Sequence, residues 1–126
     1  MPEPHALVAI VPCSDLEASE AFYNRLGFAH APDAPDGEEY RILLDASGAE
    51  VHLIRAPEGW LVPGRNPFGL YFHTADVDAL AARFAGQTVG GRRPEDKPWG
   101  MYEFALSDPD GTLVRIGRPT HSPSKE

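Results

Sequence analysis

His52 and Arg115 are the residues of this chain best suited to chemistry, and they stand 63 positions apart (115 − 52). Imidazole titrates near neutrality and can serve as a general base or a metal ligand. A guanidinium stays cationic and clamps carboxylates or phosphates through paired N–H groups. Working together, such a pair could take a proton and hold the anion that forms, as in a metal-free isomerase or hydrolase. The sequence alone puts no further titratable group beside them. A second set of residues is suited to binding. Trp60 and Trp99 stand among prolines and glycines, where core packing accounts poorly for a large aromatic. Phe68 and Phe72 lie in a β-prone run, where a core and a pocket would use them equally well, and Tyr40 and Tyr102 are further candidates to line a pocket. Aromatic faces stack planar heterocycles and attract cations.

The charge balance narrows the partners. Eleven basic and 19 acidic residues give a formal net charge of −8. That surface repels nucleic acid phosphates and anionic membranes, and it favours cationic ligands. Asp33, Asp36, Glu38 and Glu39 would add to such a field, or form a solvated loop. The 126 residues make about one domain, large enough to fold without a metal or disulfide staple. Cys13 is the single cysteine, which suits a reducing compartment. The opening residues lack the basic and long apolar segments of a signal peptide, and no apolar run approaches membrane-spanning length. The expected setting is cytoplasmic.

The elements that must position these residues follow from patterning. Residues 7–12, LVAIVP, read as a short buried strand ended by proline. Ser14 and Glu17 form a capping box for a helix over Asp15 to Leu26, with Gly27 beyond its end. Phe28–His30 reads as a short strand. Tyr40–Leu44 and Glu50–Ile54 form a hairpin around Asp45-Ala46-Ser47-Gly48. Phe68–His73 is a strand, Asp76 starts a second helix, and Gly86–Arg93 reads as a weak strand. Tyr102–Leu106 and Thr112–Ile116 form a hairpin around Asp108-Pro109-Asp110-Gly111. Pro119–Glu126 reads as a flexible tail.

These elements repeat. Asp15 and Asp76 start the helices 61 residues apart (76 − 15), and Gly48 and Gly111 close the hairpins 63 apart (111 − 48). Near-equal offsets argue for a duplicated βαβββ module of about 60 residues. The expected fold is therefore α+β, two βαβββ modules at about 6–56 and 67–118 curling a mixed sheet around a cleft, within one domain over residues 1–118. Alternation puts Val51 and Leu53 under the first helix, with Glu50, His52 and Ile54 on the other face. It likewise puts Val114 and Ile116 inward, leaving Leu113 and Arg115 opposite.

Asp15-Leu16-x-x-Ser19-x-x-Phe22-Tyr23-x-x-Leu26-Gly27-Phe28 and then Asp108-Pro109-Asp110-Gly111 resemble the vicinal-oxygen-chelate superfamily over residues 6–118. That superfamily includes glyoxalase I, extradiol dioxygenases and the fosfomycin- and bleomycin-resistance proteins. The resemblance implies the glyoxalase-like fold, but it does not fix a function, because one scaffold hosts unrelated chemistries. Metal-dependent members place ligands on the first and last strands of each module. The corresponding positions here are Val8 and Leu70 on the first strands, His52 and Arg115 on the last. Valine and leucine cannot ligate, arginine stays cationic, and one imidazole remains where a divalent ion needs about three ligands. The site is therefore expected to hold no metal and no cofactor. His5, His30, His73 and His121 show no ligand spacing and are given no catalytic role.

The metal-free bleomycin-resistance branch is the nearest match, on Ala21-Phe22-Tyr23-x-Arg25-Leu26-Gly27-Phe28, Trp99-Gly100 and Asp108-Pro109-Asp110-Gly111-Thr112-Leu113-x-Arg115. The resemblance implies a homodimer that sequesters a bulky aromatic or cationic glycopeptide-type compound, of which a bleomycin-like one is an example, without chemistry on it. Two features depart from that branch: Ala56–Phe68 is longer and richer in proline, and His52 replaces an acidic residue. Candidate ligand-binding residues are Trp99, Trp60, Tyr40, Phe68, Phe72, Tyr102, His52 and Arg115. The competing expectation is a lyase, isomerase or dioxygenase on the same scaffold.

Overall fold

The computed structural model describes residues 5–34 and 37–120. Asp36, His121 and all but the first two residues of the expected tail lie outside the described residues. The chain divides into two compact units, Met1–Pro63 and Gly64–Glu126.

In the first unit the order is β1 (Ala9–Cys13), α1 (Leu16–Arg25), β2 (Ala29–His30), β3 (Tyr40–Leu44) and β4 (Glu50–Arg55). The sheet order is β1-β4-β3-β2, with β1 parallel to β4 and the other pairs antiparallel. Expected and observed strands differ at β1. It does not end at Pro12 but runs through it to Cys13, with Pro12 opposite Ile54. An edge strand tolerates a proline whose missing N–H would face away from its neighbour. Leu7 is left 96% exposed, ahead of the strand.

The helix cap also differs from the capping box. Asp15, not Ser14, is the N-cap: its Oδ1 accepts from the N–H groups of Glu17 (3.0 Å) and Ala18 (3.1 Å). A carboxylate satisfies two orphan donors at once and lies at the positive end of the helix, which a serine hydroxyl matches less well. Leu16, Ser19, Tyr23 and Leu26 are buried on the inner face of the helix, against β3 and β4. Leu43, Val51 and Leu53 meet them from the sheet. Arg41 on β3 ties the layers together, pairing with Glu20 of α1 at 2.6 Å.

The second unit repeats the plan. Its order is β5 (Gly69–His73), α2 (Val77–Arg83), β6 (Glu95–Asp96), β7 (Met101–Ser107) and β8 (Leu113–Pro119), with sheet order β5-β8-β7-β6. β5 is parallel to β8 and the remaining pairs are antiparallel. Both units are thus βαβββ modules with a four-stranded mixed sheet and one helix on one face. Val77, Leu80 and Phe84 pack from α2 onto Phe104, Leu106, Val114 and Ile116. Burying a side chain such as Phe84 contributes about 1.5–3 kcal/mol.

The weak strand expected over Gly86–Arg93 is not there. That segment holds a 3₁₀ turn at Val89–Gly91, because Gly90 and Gly91 adopt φ of 68° and 65°, outside the strand region. The edge strand is instead Glu95–Asp96, opposite Glu103 and Tyr102. The hairpin turn matches its sequence chemistry. Asp108 Oδ1 accepts from the N–H groups of Asp110 and Thr112, both at 2.9 Å. Asn66 braces the turn from outside, donating to the Asp110 carbonyl (3.1 Å) and the Thr112 hydroxyl (3.0 Å).

Candidate ligand-binding site

Strand alternation builds the site on the sheet face of the second unit that α2 does not cover. With Val114 and Ile116 facing the helix, Arg115 points the other way. Register sets Tyr71 of β5 and Ala105 of β7 on either side of it, and Glu103 opposite Gly117. Glu103 is only 3% exposed, and a buried carboxylate is costly unless donors surround it. Three groups do so here. The Tyr71 hydroxyl donates to Oε1 at 2.8 Å, the Trp99 indole N–H donates to the same oxygen at 3.1 Å, and Arg115 Nε lies 3.7 Å from Oε2. Burial of the Tyr71 hydroxyl, the hydrogen bond to Glu103 and that residue's charge raise the phenol well above its ordinary range.

Gly117 makes this cluster possible. A Cβ there would collide with the Tyr71 hydroxyl and lie 2.7 Å from the Glu103 Cβ and 2.8 Å from the Tyr102 carbonyl oxygen. A close approach of three groups over a strand explains a glycine at that position.

A cavity of about 250 Å³ opens beside the cluster. Ala105, Leu113 and Val89 supply apolar wall, and Trp99, 61% exposed as a residue, lines it as well. Arg92, Arg93, Lys97 and Arg115 supply positive charge. The indole is tethered through its N–H to Glu103 while most of the residue stays accessible. The overall acidity of the chain is therefore not reproduced at this cavity.

In the first unit the uncovered face carries His52. Its Nε2 lies 2.6 Å from Glu50 Oε2 and its Nδ1 lies 2.7 Å from the Tyr40 hydroxyl. A carboxylate can only accept, so Nε2–H donates to Glu50, and in the neutral ring Nδ1 then accepts from Tyr40. Ile10 lies directly across from His52, and Ile10 and Ile54 leave apolar surface exposed on that face. A separate cavity of about 520 Å³ near Ser14, Glu39, Arg55 and Leu61 includes neither His52 nor any aromatic residue.

The structure thus brings Trp99 and Arg115 to one cavity and joins Tyr40 to His52. Trp60 is 74% exposed on its loop and Phe68 is half exposed just ahead of β5. Phe72 pairs with Ile116 and Tyr102 with Arg118, which sets both on the α2 side of the sheet, away from the cavity. There the Tyr102 hydroxyl donates to Asp78 at 2.5 Å and the Arg118 guanidinium stacks 4.6 Å from its ring centre. Sequence reasoning set Glu50 on the face of His52 without giving it a role, and it missed Glu103, Tyr71, Arg92, Arg93 and Lys97. Parity supplied a signal for one of them, since Glu103 and Ala105 must share a face of β7.

The first-strand position in the second unit also needs correcting. Leu70 pairs with Val114 on the helix side, so Tyr71 is the residue that shares the face of Arg115. Across from His52 the residue is Ile10, and Val8 precedes β1. A phenol beside a guanidinium, and an isoleucine beside an imidazole, do not suit a divalent ion. Among the described residues no group of three or more His, Cys, Asp or Glu side chains could hold one. No described helix is long and apolar enough to cross a membrane.

A family profile described as the glyoxalase/bleomycin resistance protein/dioxygenase superfamily matches residues 4–116. Among curated proteins none matches the sequence. Among solved structures, a bleomycin-binding protein complexed with bleomycin is 25% identical, with a TM-score of 0.75 over 91% of this chain and 98% of that one. A bleomycin resistance determinant encoded on transposon Tn5 is 25% identical, with a TM-score of 0.76 over 94% and 100%. TioX from Micromonospora sp. ML1, at 24% identity, shares the fold with a TM-score of 0.70 over 92% and 99%.

Proposed function

The chain belongs to the glyoxalase/bleomycin resistance protein/dioxygenase superfamily, and from that premise we propose that it sequesters a bulky aromatic small molecule without transforming it, as a cytoplasmic, metal-free homodimer. The observation that carries this reading is Trp99, tethered to buried Glu103 and exposed along the wall of a cavity. An aromatic surface fixed before binding loses little entropy when a planar ligand stacks on it. The neighbours that bind bleomycin or confer resistance to it support the ligand class. The exposed Ile10 and Ile54 support a face made to be covered, as a dimer or a bound compound would do. Tryptophan fluorescence followed during titration with bleomycin-type compounds tests the proposal. Saturable change at micromolar ligand is expected, and its loss in Trp99→Ala ties it to this cavity. No saturable change with any such compound would overturn the reading.

One observation favours a second reading. The chain Tyr40–His52–Glu50 orients an imidazole with a carboxylate behind it and a phenol before it, an arrangement able to move a proton. A metal-free isomerase on this scaffold would use His52 as base. If so, His52→Ala abolishes turnover of its substrate; unaltered ligand handling by that variant removes the reading.

A further inference from the structure

We infer that the cavity of the second unit takes a planar aromatic group bearing an anion such as a carboxylate, with the ring against Trp99 and the anion among Arg92, Arg93, Lys97 and Arg115. This rests on the reading of that cavity as a ligand site, and it narrows the chemistry of the ligand. Charge carries the argument. Four cationic side chains line the cavity, and two carboxylates face them. Glu103 is committed to Tyr71, Trp99 and Arg115, and Glu95 to Arg92 (3.1 Å) and Lys97 (3.5 Å). Asp96 shares the register of Tyr102 and so belongs to the α2 side. The local balance is therefore +2 (four cations less two carboxylates) in a chain whose net charge is −8. Arg93 makes no ion pair among the described residues.

Local charge of that sign, against a global charge of the other, is not accounted for by solubility. Within the cavity that net charge opposes a cationic group, against which the indole face sets a cation–π term of only about 0.5–2 kcal/mol, so a bleomycin-type compound would keep any cationic portion outside. Size sharpens the fit. About 250 Å³ lies just below the roughly 300–1,000 Å³ typical of drug-sized ligands. A bicyclic ring with one acidic substituent fits such a space, and any bulkier portion of the compound would lie outside it.

Calorimetric titration of the full chain with 2-naphthoate, 2-naphthamide and 2-naphthylmethylamine separates the possibilities, because the three share a ring and differ in charge. The expected order is naphthoate tighter than the amide by about tenfold or more, with the amine weakest. Added KCl should weaken naphthoate and leave the amide unchanged. Arg93→Gln and Lys97→Gln, both at solvent-accessible positions, should each reduce naphthoate affinity several-fold and spare the amide. Glu95→Gln, by releasing Arg92 and Lys97, should tighten naphthoate. Equal or tighter binding of the amide or the amine overturns the anion inference while the aromatic site stands. Failure of all three to bind overturns this inference, and the reading of the cavity as an aromatic site falls with it only where bleomycin-type compounds also leave the tryptophan fluorescence unchanged.

Discussion

The Tyr71 hydroxyl donates a 2.8 Å hydrogen bond to Glu103 Oε1 directly above Gly117, the glycine whose missing side chain leaves room for both. This contact joins β5 to β7 across β8 and fixes the carboxylate that in turn holds Trp99 and Arg115. The binding surface of the second unit is therefore set by residues beneath the cavity as well as by those lining it.

Gly117→Ala should be the most disruptive single-methyl change in the second unit. The added carbon meets a hydroxyl, a Cβ and a backbone oxygen, and overpacking of this kind costs about 1–3 kcal/mol. Thermal unfolding of the variant should show a clear fall in Tm. Adding Tyr71→Phe should recover part of the loss, since one of the three collisions goes away; no recovery would mean that the backbone contact dominates.

Alkaline titration offers a second test. Burial and the bond to Glu103 raise the Tyr71 phenol, and a bond to Asp78 raises that of Tyr102. A group whose folded pKa exceeds its unfolded value contributes stability below the unfolded value, about pH 10 for tyrosine, and loses it as pH rises through the folded one. Ultraviolet titration should show tyrosines ionising above the ordinary range, and stability should fall as pH climbs past about 10. Tyr71→Phe should remove the highest-titrating component. An unchanged titration curve would contradict the assignment.

The first helix separates two caps that the sequence leaves adjacent. Asp15→Ala should cost about 1 kcal/mol, because two N–H groups lose their acceptor. Asp15→Asn, which keeps one side-chain oxygen as acceptor, should lose less. Chemical denaturation of both variants decides the matter, and no measurable loss in Asp15→Ala would contradict the observed cap.

Much of the fold was legible because it rests on local chemistry. Asp108 and Gly111 dictate their turn, alternation along Glu50–Ile54 and Leu113–Ile116 assigns the correct faces, and the offset between Gly48 and Gly111 reveals the repeat. The errors arose where tertiary pairing overrides local signals. Pro12 ends a strand in isolation but is tolerated on an edge. Val89 looks β-prone until Gly90 and Gly91 turn the chain.

The site was less legible for a related reason. Trp99 and Arg115 stood out by type, yet Glu103 lies inside an apolar strand where its charge reads as solvated. Only pairing of three strands shows that it is buried and has donors on several sides. Phe72 and Tyr102 suit a binding site by type alone, and strand parity sets both on the helix side. Arg92, Arg93 and Lys97 come from a segment with little regular structure, whose path no periodicity predicts.

The most direct test of binding without chemistry is equilibrium dialysis of metal-stripped protein against bleomycin and against 2-naphthoate, with mass analysis of the ligand recovered after denaturation. The account predicts saturable retention of at least one of them, unaltered in mass, and loss of that retention in Trp99→Ala. A recovered ligand of changed mass, or retention that survives Trp99→Ala, would contradict it.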